Sequence, residues 1–201
     1  PLGTHIGNAL EVKDAIDVLA GRTQGDLLEI SLLLGSHMLV LAEKAKTLPE
    51  ARTMLENALS SGAGLRKLAE MIAAQGGDPR VVEDLSLLPQ AAVKRVMRAE
   101  TAGYLSAMDT TALGMAAQRM GAGRAKKSDM LDYSVGYVLH VRLGDEVTED
   151  TPLATLYARN EAEAEEAEKA IRKALTIARK KPQAPKLWDA VVTAEGIIYN
   201  R

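Results

Sequence analysis

The sequence predicts an α+β chain with a helical first part and a β-rich second part. Three observations carry this. Over residues 8–75, apolar positions three and four apart recur between capping residues and glycines, as successive helices require. The stretch 102–156 instead carries alternating apolar runs at 103–108, 135–141 and 153–157, with Gly144-Asp145 turning the chain before the last. Leu88-Pro89 separates the two patterns and divides the chain into 1–89 and 90–201.

Asn8 and Glu11 have the spacing of a capping box, so a helix is expected over 9–19, with Val12, Ile16 and Leu19 on one face and Gly21 stopping it. Thr23 and Asp26 repeat the pattern and start a longer helix reaching about residue 45. Its apolar residues, Leu27, Leu28, Ile30, Leu32, Leu33 and Leu34, occupy more than one face, which predicts burial on several sides. Thr47, Pro49 and Glu50 open a third helix that Ser60-Ser61-Gly62 ends, because proline is tolerated where a first turn has no amide to satisfy. A fourth, over 65–75, closes at Gly76-Gly77, and Asp78-Pro79 starts a short turn.

Residues 93–98 alternate as the first strand, and Asp109 opens a short helix between the runs at 103–108 and 135–141. Asn160 caps a charged segment, expected to be one helix as far as residue 181. Acidic residues crowd its first turns and basic ones its last, matching the helix dipole, and Glu165 stands four before Lys169. The tail, 182–201, holds the only tryptophan, Trp188, and an apolar patch over 191–199; partial order is expected there.

A net charge of -2 and a pI near 6.0 give no electrostatic reason to expect nucleic acid or an anionic membrane as a partner. Without cysteine there is no disulfide, thiolate metal site or cysteine nucleophile. The densest apolar run, 27–41, is interrupted by Glu29, Ser31, Ser36 and His37 and is too short to span a bilayer. His5, His37 and His140 have no spacing suited to a metal and are expected to be packed or surface residues. Met108, Met115 and Met120 fall at core-like spacings. Gly121-Ala122-Gly123-Arg124 follows a helix rather than preceding one, so it reads as a turn in which glycines supply positive φ, not as a phosphate cradle.

Longer stretches carry a resemblance. GYLSAMDTTALGMAAQRMGAGRAKKSDMLDYSVGYVLHVRLGDEV resembles the C-terminal domain of the pyrimidine-nucleoside phosphorylases, the group that includes thymidine phosphorylase. PLGTHIGNALEVKDAIDVL resembles a segment from the middle of the same enzymes, and AEMIAAQGGDPRVVED joins the two in the same order, up to about Lys180. The resemblance implies that 1–89 is the helical part of an α/β phosphorylase lobe and 90–201 a barrel-sandwich-like C-terminal domain. It further implies a cytoplasmic, homodimeric transferase that splits pyrimidine nucleosides with phosphate as co-substrate. Those enzymes place a whole lobe before PLG, and this chain opens on Pro1, so it is expected to be the C-terminal part of a longer protein.

The phosphate loop and nucleoside-binding side chains of the family lie in that preceding lobe, so no catalytic or substrate-binding residue is expected here, and the chain alone is expected to be inactive. One site does carry over. The family's monovalent cation site, usually potassium, takes two loop carbonyls and one acidic side chain, which match Leu2, His5 and Asp14 by position. A hard cation wants oxygen ligands, and a carbonyl serves whatever its side chain. His5 replaces a small residue there, and Asp14 is one methylene shorter than the usual glutamate.

Two other families share parts of this pattern. Ala102-Gly103-Tyr104-Leu105 and the region around GDEVTEDTPLATL share a pattern with biotinyl or lipoyl carrier domains, but Met108 is followed by Asp109 and not by the lysine a carrier needs. Anthranilate phosphoribosyltransferase shares the helical lobe but lacks the β-rich module of 102–156.

Overall fold

A computed structural model describes residues 2–200 of the chain. Its first part contains β1 (His5–Ile6), α1 (Asn8–Leu19), α2 (Asp26–Leu41), α3 (Leu48–Ser60) and α4 (Ala63–Ala74), then single 3-10 turns at Pro79–Val82 and Leu85–Leu87. The second part runs β2 (Val93–Arg98), β3 (Gly103–Met108), α5 (Thr110–Ala117), β4 (Gly136–Leu139), β5 (Glu146–Val147) and β6 (Pro152–Ala158). It ends with α6 (Glu161–Ala174), β7 (Leu175–Ala178) and the hairpin β8 (Ala190–Thr193) and β9 (Gly196–Tyr199).

Two antiparallel sheets, not a closed barrel, build the β-rich part: β1-β4-β6-β2 and β5-β3-β7. Alternation along the strands sends Met97, Leu105, Tyr137, Leu139, Ala154 and Leu156 into one core. α5 and α6 close it with Leu113, Ala116, Ala164, Ala167 and Ile171. Tyr137 is fully buried, and its hydroxyl donates to the Leu113 carbonyl at 2.8 Å, so the one polar atom it brings into the core is satisfied.

Several expected helix signals operate as written. Thr47 accepts from Glu50 N–H while the Glu50 carboxylate accepts from Lys46 N–H, Asp109 accepts from Ala112 N–H, and Asn160 accepts from Glu163 N–H. Others are corrected. Gly7, not Asn8, is the N-cap of α1, with Glu11 reaching back to Gly7 N–H at 3.2 Å; Asn8 donates across the molecule to the Ala122 carbonyl at 3.0 Å. Gly25, not Thr23, caps α2, which stops at Leu41. The segment after Asn160 does not stay helical to residue 181: α6 ends at Ala174, and Leu175–Ala178 pairs as an edge strand with β3. Thr176 and Ile177 are β-branched, and an open ladder along β3 was there to receive them.

The helical part has two small cores. Ile16 packs with Val81 and Val82, and Val18 with Leu28 and Leu32. The expected burial of α2 on several sides is not found. Only Leu28, Leu32 and Ser36, one stripe four apart, are buried, whereas Leu34, Met38 and Leu41 are 55%, 68% and 83% exposed. Met115 is likewise exposed rather than core, being 42% accessible on the outer face of α5. Of the two glycines after α5, Gly121 has a positive φ of 104° and Gly123 does not. The tail forms the expected partial order as a two-stranded hairpin, with Val192, Ile197, Ile198 and Tyr199 exposed.

The two parts meet along one seam. β1 pairs with β4 through His5 opposite Val138 and Ile6 opposite Tyr137, so the first part contributes the edge strand of the second part's sheet. Gly7 and Gly136 face each other there with φ of 132° and 148°. A Cβ on either would overlap backbone of the other segment, so only glycine allows this approach. Ala9 N–H donates to the Tyr133 carbonyl at 3.0 Å and continues the seam into α1. No helix among the described residues is long and apolar enough to cross a membrane.

Candidate cation loop

Of the three residues expected to hold a cation, His5 and Asp14 lie side by side, and Leu2 stands on the loop that leads into β1. Asp14 sits in the second turn of α1 and is only 4% exposed. Its Oδ2 accepts from Thr4 N–H at 3.2 Å and lies 3.4 Å from His5 Nδ1. Gly3 arches over the carboxylate so closely that a Cβ would overlap Oδ2. The loop is thus shaped around a buried acidic group. The carboxylate opens onto a cleft whose walls include Thr4, Gln24, Asp26 and Arg142.

Thr4 and His5 owe their orientation to the ladder with β4. Leu139 N–H donates to the Thr4 carbonyl at 2.8 Å, which makes Thr4 a hydrogen-bonded position. By the alternation of an antiparallel pair, His5 next to it has its carbonyl turned away from β4. The His5 ring is mostly buried, with Nδ1 2.9 Å from Thr4 Oγ1. Burial lowers its pKa; Asp14 pulls the other way and Lys13 adds to the lowering, with the net effect below the ordinary histidine value. The shift favours the uncharged ring. Among the described residues it is the only basic group within 4 Å of the Asp14 carboxylate, because Lys13 pairs with Asp17 at 2.6 Å.

These features fit a monovalent cation. A buried carboxylate with no lysine or arginine within 4 Å among the described residues, and a loop too close above it for a side chain, are compatible with a hard cation, which takes oxygen ligands. Side chains alone do not make a metal centre: among the described residues no three His, Asp or Glu gather into one. The Leu2 carbonyl accepts from Arg142 Nη2 at 2.9 Å, and Gly3 from the same nitrogen at 2.7 Å. A carbonyl oxygen has two lone pairs, so this contact leaves one for another partner. Arg142 and Thr4 were absent from the sequence-based set. Arg142 lies 140 residues from Leu2 and carries no local signal of its contact.

The remaining candidates do not form a second site. His37 lies on α2, and the ring of His140, on the β4–β5 connection, has Nε2 2.7 Å from Thr155 Oγ1. Asp109, at the place where a carrier would need lysine, is engaged as the N-cap of α5.

Comparison with known proteins agrees with this architecture. Residues 104–178 match the family model described as the pyrimidine nucleoside phosphorylase C-terminal domain. Pyrimidine-nucleoside phosphorylases of Bacillus subtilis and Geobacillus stearothermophilus are each 49% identical over 161 residues, covering 80% of this chain and 37% of the relative. The Staphylococcus aureus enzyme is 43% identical over 178 residues, covering 89% of this chain and 41% of the relative. The chain therefore spans about two fifths of the length of these relatives. A match of 161 residues is longer than either part of the chain, so the likeness runs through the helices as well as the β-rich module. The chain thus carries a pyrimidine nucleoside phosphorylase C-terminal domain at 104–178 and is similar over at least four fifths of its length to pyrimidine-nucleoside phosphorylases.

Proposed function

We propose that this chain works as the scaffold portion of a pyrimidine-nucleoside phosphorylase. In that reaction inorganic phosphate attacks the anomeric carbon of the sugar, the bond from that carbon to the base nitrogen breaks, and the products are the free pyrimidine and a (deoxy)ribose 1-phosphate. Such catalysis depends on holding two reactants together and on stabilising charge on the departing base. The observation that carries the reading is the 49% identity running through both parts of the chain. Residues 1–89 form the wall and cation loop behind the phosphate site, and 90–201 brace the nucleoside-binding lobe, both acting with polypeptide beyond these residues. The proposed enzyme is a cytoplasmic homodimer of pyrimidine salvage, with no nucleic acid or membrane partner.

Potassium is the proposed cation, held by the Leu2 and His5 carbonyls and the Asp14 carboxylate. When bound it supplies positive charge that offsets Asp14 and stiffens the loop; it takes no part in bond making. The deciding assay incubates purified 201-residue chain with uridine or thymidine and phosphate and measures released base by chromatography. No release is expected from this chain alone, and release is expected from a longer polypeptide that adds the preceding lobe. Turnover by the chain alone, or an inert longer protein, overturns the proposal.

A further inference from the structure

The cation loop already meets a cation that belongs to the chain. Arg142 Nη2 donates to two successive carbonyls, those of Leu2 and Gly3, at 2.9 and 2.7 Å, so both oxygens converge on one positively charged nitrogen. Bonds from carbonyls to a charged donor are stronger than neutral ones, and two on one head fix the loop's direction. The backbone under Arg142 is also held. Its N–H donates to Asp145 Oδ2 at 2.7 Å, Asp145 N–H returns to the Arg142 carbonyl at 3.0 Å, and Gly144 supplies the positive φ of 94° that this turn requires. On its other side the loop is tied to Asp14 through Thr4 N–H. The loop is thus stretched between a guanidinium from the second part and a carboxylate from the first.

We propose that Arg142 is a positioning residue that acts as a tethered cation, sharing the Leu2 carbonyl with the monovalent ion and keeping the loop in shape whatever the potassium concentration. This rests on the cation-site reading above. Its chemistry sets a direction. A guanidinium and a metal ion on the same carbonyl repel each other, so Arg142 weakens ion binding while making the loop independent of it. Removing the guanidinium leaves two converging carbonyls and a buried carboxylate to be satisfied by an ion from solution. Lysine in its place keeps the charge but not the rigid fork, and holds the loop only in part.

The test compares wild type, Arg142→Ala, Arg142→Lys and the double variant Arg142→Ala/Asp14→Asn as the full 201-residue chain. Thermal unfolding is followed in potassium chloride and in choline chloride at equal ionic strength, and thallium(I), a potassium surrogate, is titrated by thallium NMR. The wild-type midpoint is expected to rise only slightly in potassium chloride, because the ion binds weakly beside Arg142. Arg142→Ala is expected to melt lower in choline chloride, to regain most of that loss in potassium chloride, and to bind thallium roughly tenfold more tightly than wild type. Arg142→Lys is expected to fall between them, and the double variant to lose the salt difference. A purely structural arginine would give a loss that potassium does not repair, and that result overturns the proposal. Equal thallium affinity in wild type and Arg142→Ala overturns it while leaving the cation site standing. No thallium binding in either removes the cation site itself, and the proposal with it.

Discussion

The phenol of Tyr137 reaches the centre of the β-rich core and spends its one polar atom on the Leu113 carbonyl, and burial pushes its ionisation above the ordinary tyrosine range. Tyr137→Phe keeps the ring and loses the bond, so urea denaturation is expected to show a loss of about 1 kcal/mol with an unchanged m-value. Gly136 is less forgiving. An added methyl group would meet the Ile6 carbonyl and the Gly7 backbone, so Gly136→Ala is expected to cost roughly 1–3 kcal/mol in the same measurement by prising β1 from β4. His140 gives a pH signature: partial burial first, and then the nearby Lys94, lower its pKa from the ordinary value of 6.5. The folded state binds this proton less readily than the unfolded chain does. Its contribution therefore destabilises the fold progressively as pH falls from 6.5 to the folded midpoint, and is absent above that window. An NMR titration of the ring is expected to give a midpoint below 6.5, and Lys94→Ala is expected to move it upward.

Between elements, α6 is tied to β2 through Arg95, which meets Glu168 and, at 3.6 Å, Glu161. Glu168, 19% exposed, accepts from Arg95 Nε at 2.7 Å and Arg172 Nη2 at 2.8 Å. Burial pushes its pKa up, but the bonds and charges of Arg172 and Arg95 outweigh burial and leave it below the ordinary glutamate value. That stabilisation is present above the ordinary carboxylate pKa and is lost as pH falls through the folded one. Glu168→Gln is expected to lower stability by about 1 kcal/mol near pH 7, with the difference closing in acid, as urea melts at two pH values would show. Elements with a cap written into the sequence were legible there. Thr47, Asp109 and Asn160 each accept the amide bond their position implied. β7 was not legible, because Leu175–Ala178 follows α6 without a break residue and its strand character comes from β3 alongside it. β1 was not legible either: two residues carry no alternation, and what makes them a strand is β4, some 130 residues further along the chain.

For the molecule as a whole, the likeness to pyrimidine-nucleoside phosphorylases could be read in sequence because it runs along continuous stretches. The candidate loop could be read only in part. Leu2, His5 and Asp14 came from that likeness, whereas Arg142 reaches the loop only after the sheet has brought the β4–β5 turn over residues 2 and 3. The long-range pairing of β1 with β4 also has a mechanical meaning. The polypeptide leaves the sheet at Ile6, passes through four helices, and returns to the same sheet, with further ties from Asn8 to Ala122 and from Ala9 to Tyr133. A single protease nick in the exposed stretch between Glu83 and Gln90 therefore sets no fragment adrift: the two products are expected to travel together through a sizing column and to separate only in a denaturing gel.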